Sequence, residues 1–269
     1  MKKFLLVCVT YNSYSELGEY LASVDVALGR ANEEWEVDVL VGDNTVENVQ
    51  VVQFSPGFIR SLRVFSYKKN FGYFGAAQRA MMEVGDVQQY DYVAISNVDL
   101  YMPDDFFVNL GRLSLSQDVG WVANAIISGY EKRDRNPKII HRYSAGRLKQ
   151  LRFLFHYPLL HYLYTKTLYR RKKAQSARHA MPVYAGHGSF ILLTKAFFSA
   201  CPKLEYPMFL FCEEIYLGEI CRKANLKVWY EPSLVIRDTE HCSTGKMKKS
   251  FYYRCNYEAI EYILSRYYR

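Results

Sequence analysis

Four short apolar runs in the first hundred residues predict β-strands. The first, Phe4–Val9, is continuously apolar, as in a strand buried on both faces of a sheet. The others are Val37–Val41, Leu62–Tyr67 and Tyr92–Ile95. The first run follows two lysines and imitates a signal peptide. It is only about seven residues long and leads into polar residues without a small-residue cleavage site, so we interpret it as a strand.

Helices are predicted between these strands. Apolar residues follow Ser13 and Ser15 at spacings of three to four, so either serine can cap a first helix. A second helix is predicted over Gly72–Val84, and Pro103 with two following acids predicts the start of another. Strands that alternate with helices indicate an α/β fold on a mainly parallel sheet.

Each predicted strand ends in polar residues. The run Tyr92–Ile95 stops abruptly at Ser96-Asn97-Val98-Asp99, and the other ends are Thr10-Tyr11-Asn12, Asp43-Asn44 and Asn70. Such residues also end strands in ordinary loops, because they bond to their own backbone. Right-handed crossovers, however, gather these ends on one edge of the sheet, where ligands of α/β proteins bind. Four polar ends on one edge therefore favour a binding site.

The alternation stops after residue 129. Residues 130–180 are basic and aromatic, and Pro158 interrupts them, so they do not form one long helix. Further along, the pattern predicts a helix over 211–224, a strand near Val228–Tyr230 and an amphipathic helix from Lys246 to Arg269.

Positive charge is concentrated in that middle segment. The net charge of the 269 residues is +8, but residues 130–180 hold fourteen Lys and Arg against two acids, a net charge of +12. A patch of this kind favours an anionic partner, such as a membrane surface, a nucleic acid or a phosphorylated substrate.

Composition limits the class of protein. Half of the residues are apolar, enough for a sizeable core, and no run of eighteen uncharged apolar residues predicts a transmembrane helix. Six scattered cysteines form no CxxC spacing, which favours reduced thiols of a cytosolic protein over disulfides or zinc.

Seven motifs, in their order, resemble those of the family 2 glycosyltransferases. They are VTYNS (9–13), GDN (42–44), KNFGYFGAAQRA (69–80), SNVD (96–99), AGHGSFIL (185–192), FCEEIYLGEICRKA (211–224) and FYYRCNYEAI (251–260). No single motif is specific, but the ordered set covers nearly the whole chain except roughly 130–180. The family contains inverting enzymes with the GT-A fold. The nearest likeness is to bacterial rhamnosyl- and galactosyltransferases of surface polysaccharides.

The resemblance implies one GT-A domain over 1–269: a Rossmann-like, mainly parallel sheet flanked by helices, with a basic, partly helical insertion and a C-terminal helix. Residues 1–125 would form the nucleotide-sugar-binding half, and 126–245 the acceptor half, including the insertion 130–180. Residues 246–269 would form the C-terminal amphipathic helix.

The resemblance also implies a donor site at the polar strand ends. Thr10, Tyr11, Asn12 and Asp43 would hold the base and ribose, with Asn44 nearby. A carboxylate can accept the uracil N3–H, and a tyrosine offers a stacking face. The family's Asn-x-Gly stretch adds Asn70, Gly72 and Gly75. Small residues there let the helix start approach the nucleotide, although glycines also serve simply as helix entries.

The position of Asn97-Val98-Asp99 matches the family's Asp-x-Asp or Asn-Pro-Asp. The resemblance implies that Asp99 binds Mg²⁺ or Mn²⁺ at the donor diphosphate, where the cation neutralises charge on the leaving group. Asn97 is neutral and can contribute only through its amide or a water. The second metal ligand stays open between Asp238, by spacing, and His241, by residue type; a surface-loop histidine is the plain alternative.

Inversion in a single displacement needs a base for the acceptor hydroxyl. Glu213-Glu214 takes the place of the family's acidic pair, and by alignment Glu214 is the base, with the order of the two left open. Two acids at a helix start also favour the helix dipole without any catalytic role. Gly186-His187-Gly188 matches the stretch beside the acceptor, where small residues leave room for a sugar.

The expected partners follow from the resemblance and from the charge. They are a nucleotide-sugar donor, with UDP-sugars favoured, and a glycan or polyprenyl-diphosphate-linked acceptor. The basic segment 130–180 predicts contact with an anionic membrane surface, and hence a cytoplasmic protein, peripheral on the inner face of the membrane. The alternative is that its apolar residues pack in the core or between copies of a homo-oligomer. These residues are Phe153, Leu154, Leu159, Leu160 and Leu163.

Three other functions compete with this one. A sugar nucleotidyltransferase shares the layout of strand ends and metal, but VTYNSYSEL lacks the glycine-rich, basic first loop expected of one. A nucleic-acid-binding protein using 130–180 has weak support from the mixed aromatic and basic residues and is not expected. A catalytically inactive nucleotide-sugar binder is kept open by the neutral Asn97.

Overall fold

The computed structural model describes residues 1–167, 179–239 and 247–268. Within them, ten strands form one sheet. The strands are β1 (Lys2–Thr10), β2 (Trp35–Asp43), β3 (Ser61–Ser66), β4 (Tyr92–Asn97), β5 (Leu100–Tyr101), β6 (Val119–Ser128), β7 (Arg133–Asp134), β8 (Met181–Val183), β9 (Phe190–Thr194) and β10 (Lys227–Asp238). The α-helices are α1 (Tyr14–Gly29), α2 (Tyr73–Met82), α3 (Phe106–Arg112), α4 (Ala145–His156), α5 (Pro158–Thr167), α6 (Lys195–Ala200), α7 (Glu213–Lys223) and α8 (Lys249–Tyr267).

The sheet is mixed but mainly parallel, as the sequence predicts. The strand order is β3-β2-β1-β4-β9-β6-β10-β5, with β7 beside β6 and β8 beside β10. The pairs β3–β2, β2–β1, β1–β4 and β6–β10 are parallel, and β9 is antiparallel to both β4 and β6. Because β9 reverses direction between β4 and β6, the six strands of the parallel pairs all run the same way.

The register of the parallel strands brings the polar ends together. Thr10 at the end of β1 lies opposite Asp43 at the end of β2, and Asp43 lies opposite Ser66 of β3. On the other side of β1, Val9 lies opposite Asn97. The prediction that these ends share one edge of the sheet is therefore confirmed.

Apolar layers cover both faces of the sheet. Along β1, Leu5 and Val7 face a core that includes residues of α2, α7 and α8. Phe4, Leu6 and Cys8 face the opposite core, which α1 and α3 complete. Alternate side chains of a strand point to opposite faces, so burial on both explains the unbroken apolar run of β1.

The basic segment is partly helical, as predicted. The helix α4 ends at His156 and α5 begins at Pro158, and α8 forms over the predicted C-terminal helix. No strand is predicted at β6, although it is a long central strand of this sheet. Its sequence VGWVANAIIS is interrupted by Gly120 and Asn124, which weakens the apolar pattern. None of the described helices is both long and apolar enough to cross a bilayer.

Candidate active site

A cleft of about 520 Å³ lies at the carboxyl ends of β1 and β4. Its wall comes from these strand ends, the start of α2, the segment before β9, the segment 209–214 and the start of α8. The predicted residues that line it are Thr10, Tyr11, Asn44, Asn70, Gly72, Asn97, Asp99, His187, Gly188, Glu213 and Glu214. Those that do not line it are Asn12, Asp43, Gly75, Gly186 and Asp238, while His241 lies outside the described residues.

Asp43 and Asn44 are bound mainly to the protein itself. Both oxygens of the fully buried Asp43 carboxylate accept hydrogen bonds: Oδ2 from the Tyr14 hydroxyl at 2.8 Å and Oδ1 from the Thr45 amide at 2.9 Å. Asn44 donates from Nδ2 to the carbonyl of Gly72 at 2.9 Å, and its Oδ1 accepts from the Phe71 amide at 3.0 Å. Asn44 therefore ties the loop after β2 to the segment before α2 at the cleft.

Tyr11 and Asn12 follow β1 at the rim. Tyr11 is 46% exposed and lines the cleft, so its ring offers a flat face for stacking. Asn12 has a positive φ of 54°, and its amide donates to the Thr45 hydroxyl at 2.9 Å. Asparagine adopts this left-handed conformation more readily than most residues do. Asn12 thus turns the chain while Tyr11 faces the cleft.

The backbone conformation and the close packing at Gly72 both exclude a side chain. Its φ is +75°, and a Cβ there would lie 1.8 Å from the carbonyl oxygen of Phe209. The close approach thus joins the start of α2 to the segment 209–214, which also lines the cleft. At Gly188, a Cβ would lie 2.9 Å from Oε1 of Glu214, so this glycine leaves room for the carboxylate.

The acidic pair stands at the start of α7 after two left-handed residues. Phe211 and Cys212 have φ values of 74° and 63°, a conformation that costs bulky residues roughly 1–2 kcal/mol each. The Tyr206 hydroxyl donates to the carbonyl of Phe211 at 2.5 Å and holds this turn. The turn directs Glu213 and Glu214 to the cleft, and strained backbone of this kind is often found at functional sites.

The two carboxyl groups have opposite pKa shifts. Burial, reinforced by repulsion from Glu214, raises the pKa of Glu213 to about 8. Burial would also raise the pKa of Glu214, but Lys138 outweighs it and lowers this pKa, because its ammonium lies 2.5 Å from Oε1. Near neutral pH, Glu214 is therefore ionised while Glu213 largely keeps its proton. Two carboxyls separated in this way can serve as base and acid in one site.

His187 is held neutral beside this pair. Burial, together with the positive charge of Lys138, lowers its pKa to about 3. Its Nδ1 lies 2.9 Å from the Ser189 hydroxyl, and its backbone amide donates to Oδ1 of Asn136 at 2.8 Å. His187 thus presents a neutral ring to the cleft, close to the ammonium of Lys138.

Lys138 and Tyr73 contribute to the site but were not predicted from the sequence. Lys138 belongs to a segment with thirteen other Lys and Arg, and no local pattern distinguishes it from them. Tyr73 lines the cleft, and its hydroxyl is buried with no hydrogen-bond partner among the described residues. Burial raises the pKa of Tyr73 well above its usual value, so it stays a neutral donor. A buried donor without a partner on a cleft is a candidate for contact with a ligand.

Asp99 and Asp238 have different surroundings. Asp99 lines the cleft, and its backbone carbonyl accepts from the amide of Thr239 at 3.1 Å. The Asp238 carboxylate forms a close ion pair with Arg135, and its side chain is only 7% exposed. Over the three described ranges, no three His, Cys, Asp or Glu side chains are grouped closely enough to hold a metal ion by themselves.

No protein-family model matches the sequence, and no curated protein matches it either. Solved structures do share its fold. Two crystal structures of Staphylococcus aureus TarS, one of them of residues 1–349, are 12% and 11% identical to this chain, with TM-scores of 0.53 and 0.55. The crystal structure of GalNAc-T7 with UDP, GalNAc and Mn²⁺ is 13% identical, with a TM-score of 0.54.

These matches cover 86%, 99% and 100% of this chain for the shorter TarS structure, the longer one and GalNAc-T7, respectively. The chain in turn spans 60%, 44% and 49% of those proteins. TarS and GalNAc-T7 are glycosyltransferases with this mixed α/β architecture, so the predicted GT-A fold is confirmed. Identities of this size establish the fold alone.

Proposed function

We propose that the protein is an inverting glycosyltransferase that moves a sugar from a nucleotide-sugar to a hydroxyl of a glycan acceptor. The observation that carries the proposal is the Glu213–Glu214 pair. Its pKa values are shifted in opposite directions on a cleft that also holds Asp99. The fold shared with glycosyltransferases supports the same conclusion. The polar strand ends that line the same cleft would provide the donor side.

In this mechanism Glu214 takes the proton of the acceptor hydroxyl. The acceptor oxygen bonds to the anomeric carbon as the bond from that carbon to the donor phosphate breaks, so the configuration inverts. Lys138 orients the Glu214 carboxylate, and Glu213 stays protonated beside it. Gly188 and the neutral His187 leave space on the acceptor side. A positioned general base of this type contributes about 10²–10⁴-fold in rate.

The residues of the cleft supply part of a binding site for a divalent cation, Mg²⁺ or Mn²⁺. Asp99 would hold it, and the remaining ligands would be donor phosphate oxygens and water, an arrangement that Mg²⁺ commonly takes. When bound, the cation would stabilise negative charge on the departing diphosphate. The neighbour GalNAc-T7 was crystallised with Mn²⁺ and UDP, which supports this choice. Asp238 is a weaker candidate because Arg135 already neutralises it.

The finer assignment rests on the order of the motifs. We assign the chain to family 2, with a UDP-sugar as the favoured donor and a surface polysaccharide or its polyprenyl-diphosphate-linked precursor as the acceptor. Tyr11 would stack on the base, with Thr10, Asn70 and Asn97 on the same wall of the cleft.

A donor screen tests this function directly. We expect release of UDP from one member of a panel of UDP-sugars when an acceptor glycan is present, in Mn²⁺ or Mg²⁺. The measurement is a coupled assay for free nucleotide, with dTDP-sugars as the comparison panel. Formation of a nucleotide-sugar from a sugar 1-phosphate and UTP would instead identify a nucleotidyltransferase. Binding of a UDP-sugar without turnover in any acceptor mixture would favour an inactive binder.

The pH dependence should report the Lys138–Glu214 pair. Lys138 lowers the pKa of Glu214, so the acid limb of the rate profile should lie below the usual range of a glutamate. In Lys138→Met the attraction is lost, the pKa of Glu214 rises, and the acid limb should move to higher pH. The measurement is kcat/KM against pH, with Lys203→Met as an exposed-lysine control. An acid limb that stays in place would show that Glu214 is not the titrating base. A wild-type limb near pH 8 would point to Glu213.

A further inference from the structure

The helical hairpin α4–α5 carries an exposed apolar face. None of the residues of α5 is buried, whereas α4 buries Leu148 and Leu154. The side chains of Phe153, Leu159, Tyr162 and Leu163 are between 48% and 72% exposed. The alternative interpretation places five apolar residues of this segment in the core or between copies of the chain. Of these five, only Leu154 is buried, and Leu160 is 42% exposed. At about 3.6 residues per turn, positions 159, 162, 163 and 166 share one face of α5. That face is apolar apart from one lysine.

The same hairpin lies in a chain segment without negative charge. The sequence contains no Asp or Glu between residues 135 and 204. Among the described residues of the hairpin, Lys149 and Lys166 are exposed, and Lys166 lies 5.9 Å from the centre of the Tyr162 ring. Arg152 is paired with Glu261 of α8 at 2.5 Å and so contributes less. Exposed apolar side chains flanked by lysines are complementary to the surface of an anionic bilayer, which has negatively charged headgroups and an apolar interior.

The opposite face of the hairpin leads to the cleft through aromatic contacts. The ring of Phe155 stacks on His161 at 5.0 Å and contacts Tyr252 at 6.0 Å. Tyr252 in turn contacts Phe211, a residue of the cleft wall, at 5.2 Å. The neighbouring Phe251 lines the cleft as well. One layer of rings at the start of α8 therefore separates the apolar hairpin from the candidate active site.

We propose that the α4–α5 hairpin docks the protein on an anionic lipid bilayer, with Leu159, Tyr162 and Leu163 inserted among the headgroups. Charge complementarity favours an anionic bilayer over a second copy of the chain as the partner of this hairpin. Two copies would bring together two basic segments that contain no acids, and these would repel each other. Docking places the cleft next to the bilayer, where a lipid-anchored acceptor would be available. That consequence rests on the proposed function, whereas docking itself does not.

Vesicle co-sedimentation of the full chain tests the proposal without donor or acceptor. We expect binding to vesicles that contain phosphatidylglycerol, little binding to pure phosphatidylcholine, and a decrease in binding as the salt concentration rises.

Replacing Leu159 and Leu163 by Ser should weaken binding roughly tenfold or more, because their apolar surface is then lost. Lys149→Ser with Lys166→Ser should weaken it roughly tenfold. Matched exposed controls away from the hairpin are Val51→Ser for the leucines and Arg30→Ser with Lys203→Ser for the lysines. The cluster Arg170–Lys173, also basic, lies outside the described residues.

The outcomes separate docking from its alternatives. Vesicle binding that does not depend on lipid charge and is equal in the hairpin and control variants would overturn the proposal. So would a dimer, measured by light scattering, that dissociates in the Leu159→Ser/Leu163→Ser variant while vesicle binding is absent. All substituted side chains are exposed, so a thermal melt should show the variants folded as the wild type is. An enzyme inactive in the donor screen that still binds anionic vesicles would contradict only the proposed function.

Discussion

Glu214→Gln should lose about 10²–10⁴-fold in kcat, which corresponds to about 3 to 5 kcal/mol in the activation free energy. The substitution keeps the size of the side chain and leaves an amide oxygen that can accept from Lys138, so the cleft should keep its shape. It removes the carboxylate that we propose as the base, whose pKa Lys138 lowers. The measurement is kcat at saturating donor and acceptor, with UDP binding followed by calorimetry. Binding should persist, because Glu214 is not among the residues proposed to contact the base and ribose.

Glu213→Gln is the matched control for this experiment. The pKa of Glu213 is raised to about 8, so its carboxyl is largely protonated near neutral pH, and a neutral glutamine resembles it. We expect a much smaller loss of kcat in this variant. If Glu213→Gln is the inactive enzyme and Glu214→Gln is close to wild type, the two roles are reversed. If both variants stay active, the base lies elsewhere in the cleft.

Asp99→Ala should lose most of the turnover and bind the nucleotide-sugar more weakly in Mn²⁺. Asp99 lines the cleft, and in the proposed mechanism its removal leaves the donor diphosphate without that anchor for a cation. The measurements are donor affinity and nucleotide release, each with Mn²⁺ and with EDTA. Asp99→Asn should behave similarly, since the amide keeps the shape of the side chain but loses its charge. An active Asp99→Ala together with donor binding that is unaffected by EDTA would remove the metal from this mechanism.

Asp238→Asn separates the two metal candidates. Its partner Arg135 would keep a neutral acceptor, so the loss should appear in thermal stability rather than in metal dependence. The affinity for Mn²⁺, measured in the presence of UDP, should stay as in the wild type. A drop in that affinity equal to the drop in Asp99→Ala would instead make Asp238 a metal ligand.

The sequence alone determined the layout of the first parallel strands and of their polar ends. The apolar run of β1 and the spacing of apolar residues in α1 are local patterns. Each follows from which faces of that strand or helix are buried, so it can be recognised without knowing the rest of the fold. Parallel pairing then made the gathering of Thr10, Asp43 and Asn97 at one edge predictable. The strand β6 was not predicted, because Gly120 and Asn124 interrupt its pattern and only its place between β9 and β10 buries it.

The tertiary structure decided the chemistry of the site. Lys138 and Glu214 are 76 positions apart, and Asp238 and Arg135 are 103 apart, so no local pattern links the members of either pair. Asp43 was a candidate for base recognition, but the fold gives both of its oxygens to protein donors. The opposite pKa shifts of Glu213 and Glu214 likewise follow from burial and from one lysine. A side chain's residue type is written in the sequence. Its charge and free hydrogen-bonding capacity depend on neighbours that only folding brings within a few ångströms.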